Sequence, residues 1–96
     1  MYFIYILYSE AYDKFYVGQS NDLERRLEEH NTENKNAFTT KYRPWKLLKS
    51  FPVGDSLGLA RKIENHIKRQ KSRQYIQDIL TRNSIELLIK RFDGDA

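Results

Sequence analysis

The sequence predicts an α+β domain, a small three-stranded antiparallel sheet flanked by helices. Two observations carry that expectation. A run of aromatic and β-branched residues, Tyr2 to Tyr8, is followed after five polar-rich positions, Ser9 to Asp13, by a second such run, Phe15 to Gly18. A connection of that length suits a hairpin. After Gly18 the apolar spacing changes from period two to the helical 3.6, and helical spacing returns in the second half of the chain.

Taken in order, Tyr2–Tyr8 is apolar without alternation, as in a strand buried on both faces. Gly18 closes the second strand, either freeing the backbone for the turn or admitting a phosphate closely. Asn21 can cap the first helix, with Glu24 three residues on completing a capping box. Leu23, Leu27 and His30 then share one helix face, with Arg26 on its flank and Arg25 farther round as surface charge. Asn31 to Pro44 is the one long irregular stretch, and a connection of this kind is usually functional or mobile. It interleaves Lys35, Lys41 and Arg43 with Phe38 and Tyr42, which suits amines meeting phosphates and rings stacking on bases. The alternative is that the rings pin the loop to the body, and that reading is preferred for Tyr42.

Trp45–Phe51 reads as a third strand between Pro44 and Pro52. Gly54-Asp55-Ser56 supplies a turn and a cap for a helix whose Ala60, Ile63 and Ile67 lie along one side. Glu64 projects beside that apolar stripe, where a carboxylate is costly to bury unless a cation meets it. An ion pair one helical turn on, with Lys68, is the plain alternative. Ser72 can start a further helix with Tyr75, Ile76, Ile79 and Leu80 facing inward. Asn83-Ser84 breaks it, and Ile85, Leu88, Ile89 and Phe92 suggest a last short helix, although Ile85–Ile89 also fits a strand.

Composition narrows the function. Ninety-six residues make one domain, expected as a core over about 2–71 with a helical C-terminal extension over 72–92. No cysteine is present, which excludes a disulfide framework and a thiolate zinc site. The apolar N-terminus is too short to span a membrane and lacks the flanks of a leader, so a soluble, cytoplasmic protein is expected. The net charge of +4 and pI near 9.4 are suggestive of a polyanionic partner. Arg61, Lys62, Lys68, Arg69, Lys71 and Arg73 cluster around a single acid, Glu64, although such a run also fits a solvated helix face. The tail ends acidic, at Asp93 and Asp95.

Phe3-Ile4-Tyr5, then Tyr16-Val17-Gly18, then Arg26 and His30 ten and fourteen residues past Tyr16, then Glu64, form an ordered set. That set resembles the GIY-YIG nuclease family, most closely its short stand-alone bacterial members and the structure-selective branch that cuts branched DNA. The resemblance runs from about Tyr2 to about Lys71. It implies a metal-dependent endonuclease that hydrolyses DNA phosphodiester bonds and selects structure rather than sequence, on branched or nicked DNA, with an unknown recruiting protein. By the same resemblance Tyr16 activates water, Tyr5 holds the phosphate or assists Tyr16, and Arg26 neutralises the phosphate in the transition state. His30 donates to a phosphate oxygen or takes the water's proton, and Glu64 holds a metal. Gly18, Gln19, Lys35, Lys41, Arg43, Lys68, Arg69 and Lys71 are the expected nucleic-acid contacts.

The chemistry is consistent with those roles. A phenol ionises near pH 10, and lowering that by about two units means stabilising phenolate by roughly 2.7 kcal/mol, within reach of a guanidinium or metal. Arginine's planar fork suits two phosphate oxygens, and histidine titrates nearest neutrality. A single carboxylate suits Mg²⁺ or Mn²⁺, which keep most of their waters, and not zinc. His66, two residues from Glu64, points elsewhere on the helix and reads as a surface or DNA-facing residue. The family pattern is broken at three places: Phe3 replaces the first glycine, Gln19 stands where the excision-repair branch has lysine, and Ile76 stands where a late asparagine is expected. Two other readings remain: a nucleic-acid-binding module that retains the fold without turnover, and an interaction domain for an acidic protein.

Overall fold

The computed structural model describes residues 1–82 and 84–93. Three strands, β1 (Tyr2–Ser9), β2 (Lys14–Ser20) and β3 (Lys46–Gly54), form one antiparallel sheet in the order β2-β1-β3. Among the described residues five helices accompany it: α1 (Leu23–Thr32), α2 (Ala37–Lys41), α3 (Leu57–Gln70), α4 (Arg73–Arg82) and α5 (Ile85–Asp93). The α+β class with a three-stranded antiparallel sheet is the architecture read from the sequence.

β1 is the central strand, and Ile4, Tyr5, Ile6 and Leu7 are all buried, which explains its unbroken apolar run. Its side chains alternate between two cores. Ile4 and Ile6 join Val17, Phe51, Val53 and the apolar faces of α3, α4 and α5. Tyr5 and Leu7 join Trp45 in a smaller core bordered by Tyr16, Leu23, Leu27 and Tyr42. The sheet is thus covered on both faces. Each fully buried branched side chain contributes roughly 1.5–3 kcal/mol. Ile79, Ile85 and Leu88 lie inside the main core, so the C-terminal helices are part of the body and not an appendage.

Local rules account for the boundaries. Ser56 caps α3 by accepting from the Leu59 amide, and Ser72 Oγ accepts from the Tyr75 amide at the start of α4, as expected. Gly54 takes a φ of +103° at the end of β3, a turn conformation open to glycine.

Three expectations are corrected. The cap of α1 is Asp22 and not Asn21: its carboxylate accepts from the Arg25 amide, while Ser20 Oγ holds the Asp22 amide. The 31–44 stretch contains α2, capped by Asn36, because five residues are too few to show a helical period. β3 runs through Pro52 to Gly54, which an edge strand with one neighbour tolerates. The last short helix read from the spacing forms as α5, and the strand alternative for Ile85–Ile89 does not. Of the expected chain break, Asn83 lies outside the described residues, as does Asp95.

Candidate active site

The site begins with a space left by a missing side chain. Tyr5 on β1 pairs across the sheet with Gly18 on β2. A Cβ on Gly18 would overlap the Tyr5 Oη and Cζ and come within 2.9 Å of Cε1. Gly18 is therefore required for room, so that the phenol can lie where its own Cβ would stand. The backbone there is not in the left-handed region, and conformational freedom is not the reason. Tyr5 Oη is 2.8 Å from His30 Nε2, and both residues are only 2% exposed.

Burial, with the neighbouring Tyr16 adding to it, raises the Tyr5 pKa well above the ordinary value near 10, against the opposing pull of Arg26. Burial first, then the positive charge of Arg26, lowers His30 from 6.5 to about 4. Both are neutral at pH 7. The expectation that His30 titrates near neutrality is corrected, because desolvation excludes the imidazolium.

Tyr16 lies on β2, an edge strand, and its phenol is half-buried. Asn36, the cap of α2, donates from Nδ2 to Tyr16 Oη at 3.2 Å. The Tyr16 ring meets His30 edge-on at 4.8 Å between centroids and stacks near Phe38 at 6.1 Å. Lys68 Nζ sits 4.9 Å from the centre of the same ring.

Between α1, the sheet and α3 a notch of about 290 Å³ is lined by Tyr5, Gln19, Arg26, Glu29 and Glu64, among others. Four separate elements deliver those side chains. Arg26 Nη1 is 3.5 Å from Glu29 Oε1, and Glu64 Oε2 is 3.1 Å from Lys68 Nζ. The helical ion pair allowed by the sequence is therefore formed. Tyr16 opens into an adjoining groove of about 640 Å³, which Lys68 also lines. Lys68 thus links the two openings, touching Glu64 on one side and Tyr16 on the other.

Of the five residues singled out first, Tyr5, Arg26 and Glu64 share the notch, Tyr16 stands at its neighbour, and His30 lies behind the two phenols. The other expected contacts scatter. Gln19 lines the notch and Lys71 the groove, while Arg69 is exposed on α3. Lys35 pairs with Glu33 at 3.1 Å, and Lys41 lies 5.3 Å over the Tyr42 ring. Arg43 donates to Asn31 O and to Asn34 Oδ1, so its fork holds the loop together. Gly18 is covered by Tyr5. His66 packs against the rings of Tyr75 and Phe92 and is a packing residue.

Sequence reading missed three participants. Arg25, taken as plain surface charge, lines the notch, as does Glu29, three residues after Arg26 on the same helix. Asn36 holds Tyr16, and an asparagine before a short apolar turn was the available signal.

Among the described residues no three His, Cys, Asp or Glu side chains form a metal cluster. The notch is lined by Glu64, which offers a carboxylate, and by Gln19, whose Oε1 is buried with no hydrogen-bond partner among the described residues. A carboxylate with an orphaned carbonyl oxygen fits a divalent cation that retains most of its water, as Mg²⁺ does.

A family model, the GIY-YIG catalytic domain, matches residues 1–77. The chain belongs to the GIY-YIG family. No curated protein and no solved structure matches it. GIY-YIG domains are nuclease domains, act on nucleic acid, and generally use divalent metal ions. The GIY-YIG match ends within α4, although the main core extends through α5.

Proposed function

We propose that this GIY-YIG domain is a divalent-metal-dependent DNA endonuclease with Mg²⁺ or Mn²⁺ as its ion, acting on branched or nicked DNA. The single observation that supports the reading most is the meeting of Tyr5, Arg26 and Glu64, from three distant segments, in one notch beside Tyr16.

Tyr16 is the phenol with access to solvent, and it orients or deprotonates the attacking water, with Asn36 fixing its hydroxyl. Tyr5 stays protonated and buried. It acts as a positioning group, clamped by His30, and carries no proton away. Arg26 is one-third exposed and exchanges Glu29 for phosphate oxygens, where two N–H donors meet two oxygens. Glu64 and Gln19 would hold the cation, which on binding supplies charge neutralisation and a more acidic bound water. Lys68 is released from Glu64 and turns toward the strand's phosphates.

The alternative is a nucleic-acid-binding module without turnover. It draws on the internal pairing of the notch, where Arg26 already meets Glu29 and Glu64 already meets Lys68.

The test is cleavage of nicked, branched and linear DNA with Mg²⁺ or Mn²⁺ by wild type, Glu64→Ala and Arg26→Ala. The expected result is incision by wild type alone, lost on chelation. Salt-sensitive binding with no incision of any substrate would overturn the enzyme and leave the binding module.

A further inference from the structure

We infer that the groove beside Tyr16 is a binding site for an unpaired nucleotide of the DNA whose phosphate the notch engages; this deepens the nuclease reading and rests on it.

The walls of the groove carry the argument. Phe38 lies 6.1 Å from Tyr16 and 5.9 Å from Trp45, its plane within 30° of each, and Tyr16 and Trp45 are 6.2 Å apart at 58°, so the three rings form one cluster. Trp45 is 4% exposed and Phe38 is 40% exposed, so this three-ring cluster is buried at Trp45 and presents Phe38 to the groove. Val17, Ile67 and Ile76 give the groove an apolar floor, and its volume of about 640 Å³ is that of a ligand site. Lys14, Lys68, Lys71 and Arg73 stand around it. Arg73 is matched by Asp13 and Lys68 by Glu64, but Lys14 and Lys71 have no carboxylate within ion-pair distance among the described residues.

Apolar floor, stacked rings and cationic rim fit the parts of a nucleotide separately: base face on ring, phosphates on lysines. A base inside a duplex offers only its edges in the grooves. Its face is available only where pairing is lost, as at a flap, a gap or a frayed nick. An acidic peptide would use the lysines and leave Phe38 and the apolar floor without a function. The groove therefore selects DNA structure at a point next to the notch, and α2 exists to bring Phe38 there.

The experiment measures binding without divalent cation, so incision plays no part. Probes are a blunt duplex and the same duplex with a short single-stranded overhang carrying 2-aminopurine. The overhang should bind about 5- to 150-fold more tightly, the usual strength of one base–aromatic stack, with 2-aminopurine fluorescence quenched. Phe38→Ala should abolish that preference, and Phe38→Tyr, which keeps a ring and α2 packing, should retain it. Lys71→Ala should weaken the overhang more than the blunt duplex and reduce the overhang's salt slope by about 0.7. Equal affinity of the two probes for wild type, or a preference that survives Phe38→Ala, would overturn the inference. So would polyglutamate displacing the overhang as well as unlabelled overhang does. An overhang preference without incision would sink the nuclease reading alone, and incision without the preference would sink the groove alone.

Discussion

Gly18→Ala is the sharpest test of how the site is built. The added methyl overlaps Tyr5 Oη and Cζ, and the phenol has no free direction to take, since it is 2% exposed and packed with Leu7, Trp45 and Tyr16. Either the strands part or the ring leaves its rotamer, and such overpacking costs about 1–3 kcal/mol. Displacing the ring also breaks the Tyr5–His30 hydrogen bond in a buried place, adding about 1–3 kcal/mol for the groups left unpaired. A loss of about 2–6 kcal/mol is a large part of the roughly 5–15 kcal/mol of a small domain. Urea unfolding by circular dichroism should show the midpoint falling by roughly 1–3 M with an unchanged slope, given the usual dependence of about 1–3 kcal/mol per M. In a Tyr5→Leu background the same substitution should cost under about 1 kcal/mol, because the overlapping atoms are gone. An equal penalty in both backgrounds would refute the packing account of Gly18.

The pH dependence follows from His30. Its folded pKa is depressed to about 4, so the stability held by the neutral ring is complete above 6.5 and falls away as pH drops from 6.5 toward 4. Wild type should lose about 2–3 kcal/mol across that window in urea titrations, and His30→Gln should flatten the profile; an identical slope in the variant would contradict it. Tyr16→Phe should reduce incision by roughly 10²–10⁴-fold in single-turnover assays while leaving DNA affinity near wild type. Asn36→Ala should destabilise by about 1 kcal/mol through the lost cap of α2, read as a lower urea midpoint. Glu64→Ala should change stability by less than about 0.5 kcal/mol, since its partner Lys68 is exposed and the pair is an ordinary helical one.

The strands, α1, α3 and the inward faces of α4 were legible because period and caps repeat locally along the chain. α2 was not, since a single turn has no period to read. The clustering of Tyr5, Arg26 and Glu64 was legible only through their order and the family resemblance, because nothing local joins β1, α1 and α3. Gly18 was assigned a turn or a phosphate, when its reason lies across the sheet in Tyr5, a partner that only register reveals. The fate of His30 was misread for a related cause. Reference titration behaviour belongs to a solvated ring, and the packing that removes solvent comes from Tyr5 and Tyr16, far away in sequence.

The most direct measurement is the anomalous difference map of a crystal grown with Mn²⁺ and an uncleavable DNA end. A peak bonded to Glu64, with Lys68 displaced from that carboxylate and the strand's phosphate lying between Arg26 and Tyr16, is the outcome this account requires. Density with no metal at Glu64 and the Glu64–Lys68 pair intact beneath bound DNA would contradict it.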